Sequence, residues 1–184
     1  MFDHFEILAP IYDRAIPFSR LELMLKKVDL PVDGILLDVG GGTGRVASAL
    51  KAYTREVFVA DFSRGMLTEA SQKKLKCLQT PAENLPFADG TFERIIIVDA
   101  LHHVYHQAQT AAEMWRVLKV GGRLVIEEPD IRCWQVKILA FVEKIALMRS
   151  HFLTPPKIAK LFPPAAMVSI ERDGYDAWVI ISKE

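Results

Sequence analysis

The sequence predicts an α/β protein organised around a doubly wound sheet of seven strands. Short apolar runs rich in β-branched residues alternate with stretches of helical periodicity, which is the pattern of parallel strands joined by helices. The first run, Ile35–Val39, breaks into glycines, and the last two runs are separated by the turn dipeptide Asp173-Gly174. We therefore expect a mixed sheet in which the last strand is antiparallel.

Length and composition fit a single domain over residues 1–184. The chain has 184 residues and 51% hydrophobic content, enough for one substantial core. Its 23 basic and 23 acidic residues balance, so no strongly basic surface for nucleic acid is expected. The N-terminus lacks a signal-peptide pattern, and no apolar run reaches the ~20 residues that span a bilayer. We expect a cytoplasmic protein without a membrane span, and its oligomeric state stays open.

The two cysteines, Cys77 and Cys133, are isolated from each other in the sequence. They form neither a disulfide framework nor a spacing typical of metal ligands. The sequence therefore predicts reduced thiols and no metal site.

Residues 1–30 are predicted to form a helical cover that precedes the first strand. Apolar residues recur there at helical spacing, as at Leu21 and Val28, while Pro10 and Pro17 mark expected breaks.

The glycine-rich turn after the first strand predicts a small-molecule site. Glycine has no Cβ, so a ligand can lie against the backbone while the N–H groups of the next helix point at it. Counted from Gly42, the pattern Gly42-x-Gly44-x-x-Ala47 satisfies the dinucleotide fingerprint. Counted from Asp38, it reads D-x-G-x-G-x-G and includes Gly40. We prefer the second frame because it gives a role to the acid that closes the strand.

The second strand is predicted at Glu56–Ala60, after a helix that ends near residue 52, and it ends on Asp61. An acid ~20 residues beyond the glycines is the usual partner of ribose hydroxyls, because a carboxylate can accept from both hydroxyls. Ser63 is expected to cap the following helix, and Met66 either contacts an adenine face or fills the core. Phe62 lies between Asp61 and Ser63.

The third strand is predicted at Leu75–Gln79 and the fourth at Ile95–Val98. Asp99 follows the fourth strand, at the edge where open α/β sheets bind ligands. His102 and His103 come next, and adjacent side chains project in different directions, so one of the pair is expected to face the site. Unperturbed histidine titrates near physiological pH.

The rest of the chain supplies one more parallel strand, an insert and a hairpin. A helix at 107–118 leads through two glycines into a strand at 123–129, which carries Glu128 near its end. Residues 130–164 are predicted to form a helical insert, with a long helical pattern that runs from Trp134 through Ile145 to Arg149 and a short helix from Pro155 to Leu161. The hairpin strands are expected at 167–172 and 175–182.

Four segments together resemble the motifs of class I S-adenosylmethionine-dependent methyltransferases. They are D-V-G-G-G-T-G at 38–44, D-F-S-R-G-M-L at 61–67, A-E-N-L-P-F at 82–87 and L-K-V-G-G-R-L-V-I at 118–126. Ala9–Asp13 resembles the opening segment of the ubiquinone and menaquinone C-methyltransferase subgroup, which folds over the cofactor. The resemblance implies a Rossmann-like fold, S-adenosylmethionine as cofactor and a small-molecule methyl acceptor.

The resemblance also implies which residues bind the cofactor. This chain departs from the family at Pro81, where an aspartate that accepts from adenine is expected, so adenine would be held by Glu83 or by the backbone near Ala82. The full set is Tyr12, Asp38, Gly40, Gly42, Gly44, Asp61, Phe62, Met66, Ala82, Glu83 and Asp99.

Methyl transfer from a sulfonium is an in-line displacement that the cofactor itself activates, so a general base is needed only if the acceptor must lose a proton. The candidates are His103 first, then His102 and Glu128, although a histidine pair is also common in the family without being catalytic. Two other functions remain open at this point: a non-catalytic S-adenosylmethionine-binding regulator or subunit, and a nicotinamide oxidoreductase.

Overall fold

The protein is described here by a computed structural model over residues 4–145 and 150–184. The strands are β1 Val32–Val39, β2 Thr54–Asp61, β3 Lys76–Gln79, β4 Phe92–Val98, β5 Leu118–Pro129, β6 Ala166–Asp173 and β7 Asp176–Lys183. The helices are α1 His4–Ala15, α2 Leu21–Val28, α3 Arg45–Leu50, α4 Arg64–Gln72, α5 Gln107–Val117, α6 Trp134–Ile145 and α7 Pro155–Ala159. Short 3-10 turns occur at Lys51–Tyr53 and Leu101–His103.

The seven strands form one sheet in the order β3-β2-β1-β4-β5-β7-β6. The first five positions are parallel, whereas β7 runs antiparallel to both β5 and β6. The predicted seven-stranded, doubly wound mixed sheet with a C-terminal hairpin is confirmed. The strand order reverses between β1 and β4, and such a reversal opens a crevice at the carboxyl ends of the strands.

Two apolar layers pack on the two faces of the sheet, because successive side chains of a buried strand point in opposite directions. Leu37 and Ile95 pack on the face covered by α5 and α7. Leu36 and Ile96 pack on the face covered by α2, α3 and α4. The central strands are thus buried on both sides, which holds their carboxyl ends in fixed positions.

The N-terminal cover is helical as predicted, but its first break is misplaced. Pro10 lies inside α1, whereas Pro17 lies in the connection between α1 and α2. The packing of α1 against α4 overrides the local tendency of proline to end a helix.

The insert 130–164 contains α6 and α7, in agreement with the predicted helices, and Arg149 at the end of the predicted pattern lies outside the described residues. The apolar residues of α6 do recur at the predicted helical spacing, but their side chains face outward. Large apolar residues with 42–67% exposure are Trp134, Ile138, Leu139, Phe141, Val142 and Ile145. The buried side of α6 instead carries Val136 and Glu143.

No helix within the described residues is both long enough and apolar enough to cross a bilayer.

Candidate functional site

A cavity of about 1520 Å³ opens at the carboxyl ends of the parallel strands. Small-molecule sites usually measure about 300–1,000 Å³, so this cavity has room for two ligands. Every residue expected to bind a cofactor lines it, except Gly44: these are Tyr12, Asp38, Gly40, Gly42, Asp61, Phe62, Met66, Ala82, Glu83 and Asp99. The structure therefore brings together residues from the cover and from four different strand ends.

Two glycines of the glycine turn, Gly42 and Gly44, have different surroundings. At Gly42, where φ is +55°, the nearest atom to an added Cβ would be Met66 Sδ at 3.8 Å, so the space above this residue is open toward the cavity. At Gly44, where φ is +69°, an added Cβ would lie 2.4 Å from Leu75 Cδ1. Gly44 is therefore required mainly by its backbone conformation, and because it does not line the cavity, its predicted part in cofactor binding stays a prediction.

Asp38 ends the first strand as a buried carboxyl group with 1% exposure. Burial, with a further contribution from Asp61, raises its pKa to about 7 even though Arg45 opposes the shift. Its Oδ2 atom has no hydrogen-bond partner among the described residues. Buried polar atoms are nearly always paired, so this oxygen is positioned to accept from a ligand donor.

Asp61 ties the glycine turn to the second strand. Its Oδ2 accepts the N–H of Gly42 at 2.8 Å, and its Oδ1 accepts the N–H of Ser63 at 2.7 Å. The expected cap by Ser63 is wrong: Ser63 occupies the N-cap position of α4, but its hydroxyl makes no capping bond. The backbone amide of Ser63 instead donates to the Asp61 carboxylate.

Met66 and Phe62 both line the cavity but differ in their exposure to solvent. Met66 is 2% exposed and still lines the cavity, so it serves both the core and the cavity wall. Phe62 is 67% exposed and forms part of the rim.

Arg45 is the main functional residue that the sequence prediction missed. Its Nη2 lies 3.0 Å from Asp99 Oδ2, and its guanidinium also hydrogen-bonds the Tyr12 side chain. Burial raises the pKa of Tyr12 and of Asp99, while Arg45 opposes both shifts. Arg45 directly follows the glycine motif, but nothing local in the sequence indicates that it points across the cavity to another strand.

The N-terminal helix is fastened to the glycine turn by Asp13. Its carboxylate accepts from the Thr43 hydroxyl and pairs with Lys73 Nζ at 2.6 Å. Burial alone would raise the pKa of Asp13, but the hydrogen bonds from Lys73 and Thr43 outweigh it and lower the pKa. These contacts hold Tyr12 at the cavity.

Pro81, Ala82 and Glu83 form the wall where an adenine-binding loop was expected. The Glu83 carboxylate accepts the N–H of His106 at 3.0 Å, and Gln109 Nε2 donates to the Glu83 backbone oxygen at 3.1 Å. Glu83 thus connects this wall to the loop after β4, and it offers side-chain acceptor atoms near Pro81, whose own side chain has none.

Of the three candidate bases, His102 and Glu128 form a buried pair, whereas His103 lines the cavity. Glu128 is buried, accepts the N–H groups of Ala100 and Leu101 at 2.9 and 2.7 Å, and lies 2.6 Å from His102 Nδ1. His103 lines the cavity, whereas neither His102 nor Glu128 does. Glu128, one of the three candidate bases, therefore does not line the cavity, and a catalytic role for it stays a prediction.

His103 does not titrate near physiological pH. Burial, together with the charge of neighbouring His102, lowers the pKa of His103 to about 3. The pKa of His102 moves the other way, because Glu128 outweighs the effect of burial and stabilises the charged ring. His103 is thus a neutral hydrogen-bonding group and a weak base.

The known proteins to which this chain is similar are methyltransferases. Residues 37–126 match the methyltransferase domain family. The ubiquinone/menaquinone biosynthesis C-methyltransferase of Geotalea daltonii is 35% identical over 142 residues, which are 67% of this chain and 60% of the relative. The demethylmenaquinone methyltransferase of Thermobifida fusca is 33% identical over 139 residues, 70% of this chain and 59% of the relative. The chain thus spans about 60% of the length of these relatives.

Solved structures show the same fold. An S-adenosylmethionine-dependent methyltransferase of Thermotoga maritima superposes with a TM-score of 0.79 at 22% identity and covers 98% of both chains. One from Aquifex aeolicus superposes with a TM-score of 0.72 at 18% identity, again over 98% of both chains.

The raised pKa of Asp38 predicts a pH-dependent stability. The folded carboxyl group keeps its proton to about pH 7, whereas the unfolded one ionises near pH 4, so ligand-free protein should lose stability as pH rises through this window. Asp38→Asn cannot ionise, and relative to the natural protein it should gain about 2 to 3 kcal/mol between pH 5 and pH 8.

Urea denaturation at several pH values measures this gain. Asp33→Asn, an exposed carboxylate of the same strand, is the matched control and should show no such trend. A difference between Asp38→Asn and the natural protein that stays constant with pH would contradict the assignment.

Proposed function

The chain belongs to the class I S-adenosylmethionine-dependent methyltransferase superfamily, and on that premise we propose that it binds S-adenosylmethionine in the cavity and transfers the methyl group to a small molecule. The observation that carries the proposal is the buried Asp38 carboxyl group with its unpartnered oxygen beside the open glycine turn. The family match leaves the nicotinamide alternative without support.

The charges of the cavity fit this cofactor. Asp38, Asp61, Glu83 and Asp99 contribute four carboxyl groups to its wall, against two cationic side chains, those of Arg45 and Lys144. An excess of carboxyl groups favours a ligand that carries an ammonium and a sulfonium. Asp38 and the glycine turn would hold the methionine end, Asp61 the ribose, and Glu83 with Ala82 the adenine.

The cofactor supplies an activated methyl group, and the protein has to align the acceptor and exclude water. Alignment alone can contribute about 7 to 11 kcal/mol to lowering a barrier. The cavity volume beyond the cofactor is bordered by His103, Tyr105, Lys144 and His151. We place the acceptor there.

A non-catalytic S-adenosylmethionine-binding regulator is the second candidate function. Pro81 favours it, since it lines the cavity in place of an aspartate that would accept from adenine.

Turnover separates the two functions. The purified protein is incubated with methyl-labelled S-adenosylmethionine and a fractionated metabolite extract, and labelled products are identified by mass spectrometry. A labelled product that depends on the protein supports catalysis. Tight binding of S-adenosylhomocysteine with no labelled product in any fraction supports the regulator, and the absence of binding refutes both.

Replacing Asp61 tests the ribose assignment. Asp61→Ala should weaken S-adenosylhomocysteine binding by about 1.5 to 3 kcal/mol, as expected for losing hydrogen bonds to a charged group. Calorimetry measures the affinity, and circular dichroism checks the fold, because the variant also loses the Gly42 and Ser63 contacts. Asp33→Ala serves as control, and unchanged affinity in Asp61→Ala would refute the assignment.

The cover of residues 1–30 and the insert of residues 130–164 are proposed to close over the ligands. Both segments contribute residues to the cavity wall, Tyr12 from the first and Lys144 from the second, while α2 and α7 also cover the faces of the sheet. Hydrogen exchange should slow in α1 and in residues 130–162 when S-adenosylhomocysteine binds, with β1 and β4 as internal references. Equal exchange with and without ligand would mark these segments as fixed.

His103 is proposed to contact the acceptor, with His102 and Glu128 holding it in position. Because His103 is a weak base, we expect it to orient the acceptor by a hydrogen bond, and His103→Ala should lower kcat about 10- to 100-fold while cofactor affinity stays the same. A loss beyond about 10³-fold would instead indicate proton removal.

The matched control is His106→Ala, which removes an exposed rim histidine. Turnover of His103→Ala equal to that of His106→Ala would contradict a role for His103. His102→Ala is a poor substitute for this test because it leaves the buried Glu128 carboxylate without its partner.

A further inference from the structure

We propose that His102, His103 and Glu143 bind one divalent transition-metal ion of the zinc class at the edge of the cavity. One ligand atom from each of the three side chains lies within 4.8 Å of the other two. His103 is part of the cavity wall, so the site would lie on the acceptor side. The proposal concerns metal binding alone and does not depend on methyl transfer.

The orientation of α6 is the first argument. This helix turns six large apolar side chains outward and buries Glu143, whose exposure is 8%. Burying a carboxylate is costly unless an opposite charge or hydrogen bonds compensate it. An apolar helix that presents its only acid to the interior therefore indicates that the acid has a binding role there.

The unpaired Oε2 atom of Glu143 is the second argument. This atom is buried and has no hydrogen-bond partner among the residues that the structure describes. The carboxylate lies near His102 and His103, and its charge helps to raise the pKa of His102. A buried, unsatisfied oxygen beside two imidazoles is the arrangement that a bound cation would complete.

The support of His102 is the third argument. Its Nδ1 lies 2.6 Å from Glu128 Oε2, and Glu128 is itself held by the amides of Ala100 and Leu101. Metal-binding histidines usually donate their second ring nitrogen to a carboxylate or carbonyl, which fixes the ring and its tautomer. With Nδ1 engaged in this way, Nε2 would be the metal ligand.

The ligand set identifies the class of ion. Two imidazoles and one carboxylate are a known set for zinc with a further position left for water or a substrate atom, whereas magnesium prefers oxygen ligands alone. When bound, the ion would hold an acceptor oxygen at that position in place of the hydrogen bond proposed from His103, since His103 Nδ1 already lies 3.3 Å from Ser150 Oγ. The expectation of no metal site came from the cysteine spacing, and this cluster contains no cysteine.

Titration with Zn²⁺ alone tests the proposal. The protein is stripped with a chelator, dialysed and titrated calorimetrically in the absence of cofactor, and the bound metal is counted by mass spectrometry. We expect one zinc ion per chain, and Co²⁺ in its place should give the intense visible absorption of a four- or five-coordinate site.

Glu143→Gln should weaken zinc binding by at least the 10- to 100-fold typical of losing even an outer partner. Gln keeps the shape of the side chain, so circular dichroism should stay unchanged. His106→Gln is the matched control outside the cluster and should bind zinc normally.

Two results would overturn the proposal: no stoichiometric zinc, or equal zinc affinity in Glu143→Gln and the natural protein, which would mark an adventitious ion only. S-adenosylhomocysteine binding is measured separately on the same metal-free protein and reports on the proposed function. The zinc site and the proposed cofactor binding can therefore be refuted independently.

Discussion

The gathering of carboxyl groups at one edge of the sheet is the constraint on which the rest of this structure depends. Parallel strands end at the same edge, and here β1, β2, β4 and β5 end in or beside Asp38, Asp61, Asp99 and the pair Glu127-Glu128. Three of these acids are compensated in different ways: Asp61 by backbone amides, Asp99 by Arg45 and Glu128 by His102. Burial and neighbouring acids raise the pKa of Glu127 to about 8 despite its ion pair with Arg20.

The N-terminal cover is held in place by the same charges. Arg20 pairs with Glu127 at 2.8 Å and with Asp176 at 2.6 Å, and its guanidinium lies 5.1 Å from the centre of the Trp178 ring. Tyr12 contacts Arg45 at the cavity, and Asp13 fastens the helix to the glycine turn. The cover is therefore bound to residues at the same strand ends and turn that supply the cavity acids.

The two halves of the cavity have different origins. The proposed cofactor half uses strand ends and loops within residues 37–126, the segment that matches the family, together with Tyr12 from the N-terminal cover. The proposed acceptor half combines His103 from that segment with Lys144, Ser150 and His151 from the insert, which lies outside it. The proposed metal ion likewise combines His102 and His103 from the matched segment with Glu143 from the insert.

The sequence by itself determined the seven strands, the hairpin, the glycine turn and the acids Asp38 and Asp61. Backbone conformation follows from side-chain sterics and hydrogen bonds within a few residues, and the sequence shows these directly. The tertiary structure alone decided that Gly42 faces the cavity while Gly44 packs on Leu75, that His103 lines the cavity while His102 pairs with Glu128, and that α6 buries Glu143. Such outcomes depend on burial and on charges brought together from distant positions, as with Arg20 and Glu127, which lie 107 residues apart. A Coulomb interaction acts through space and a pKa responds to its whole surroundings, so neither can be read from local spacing.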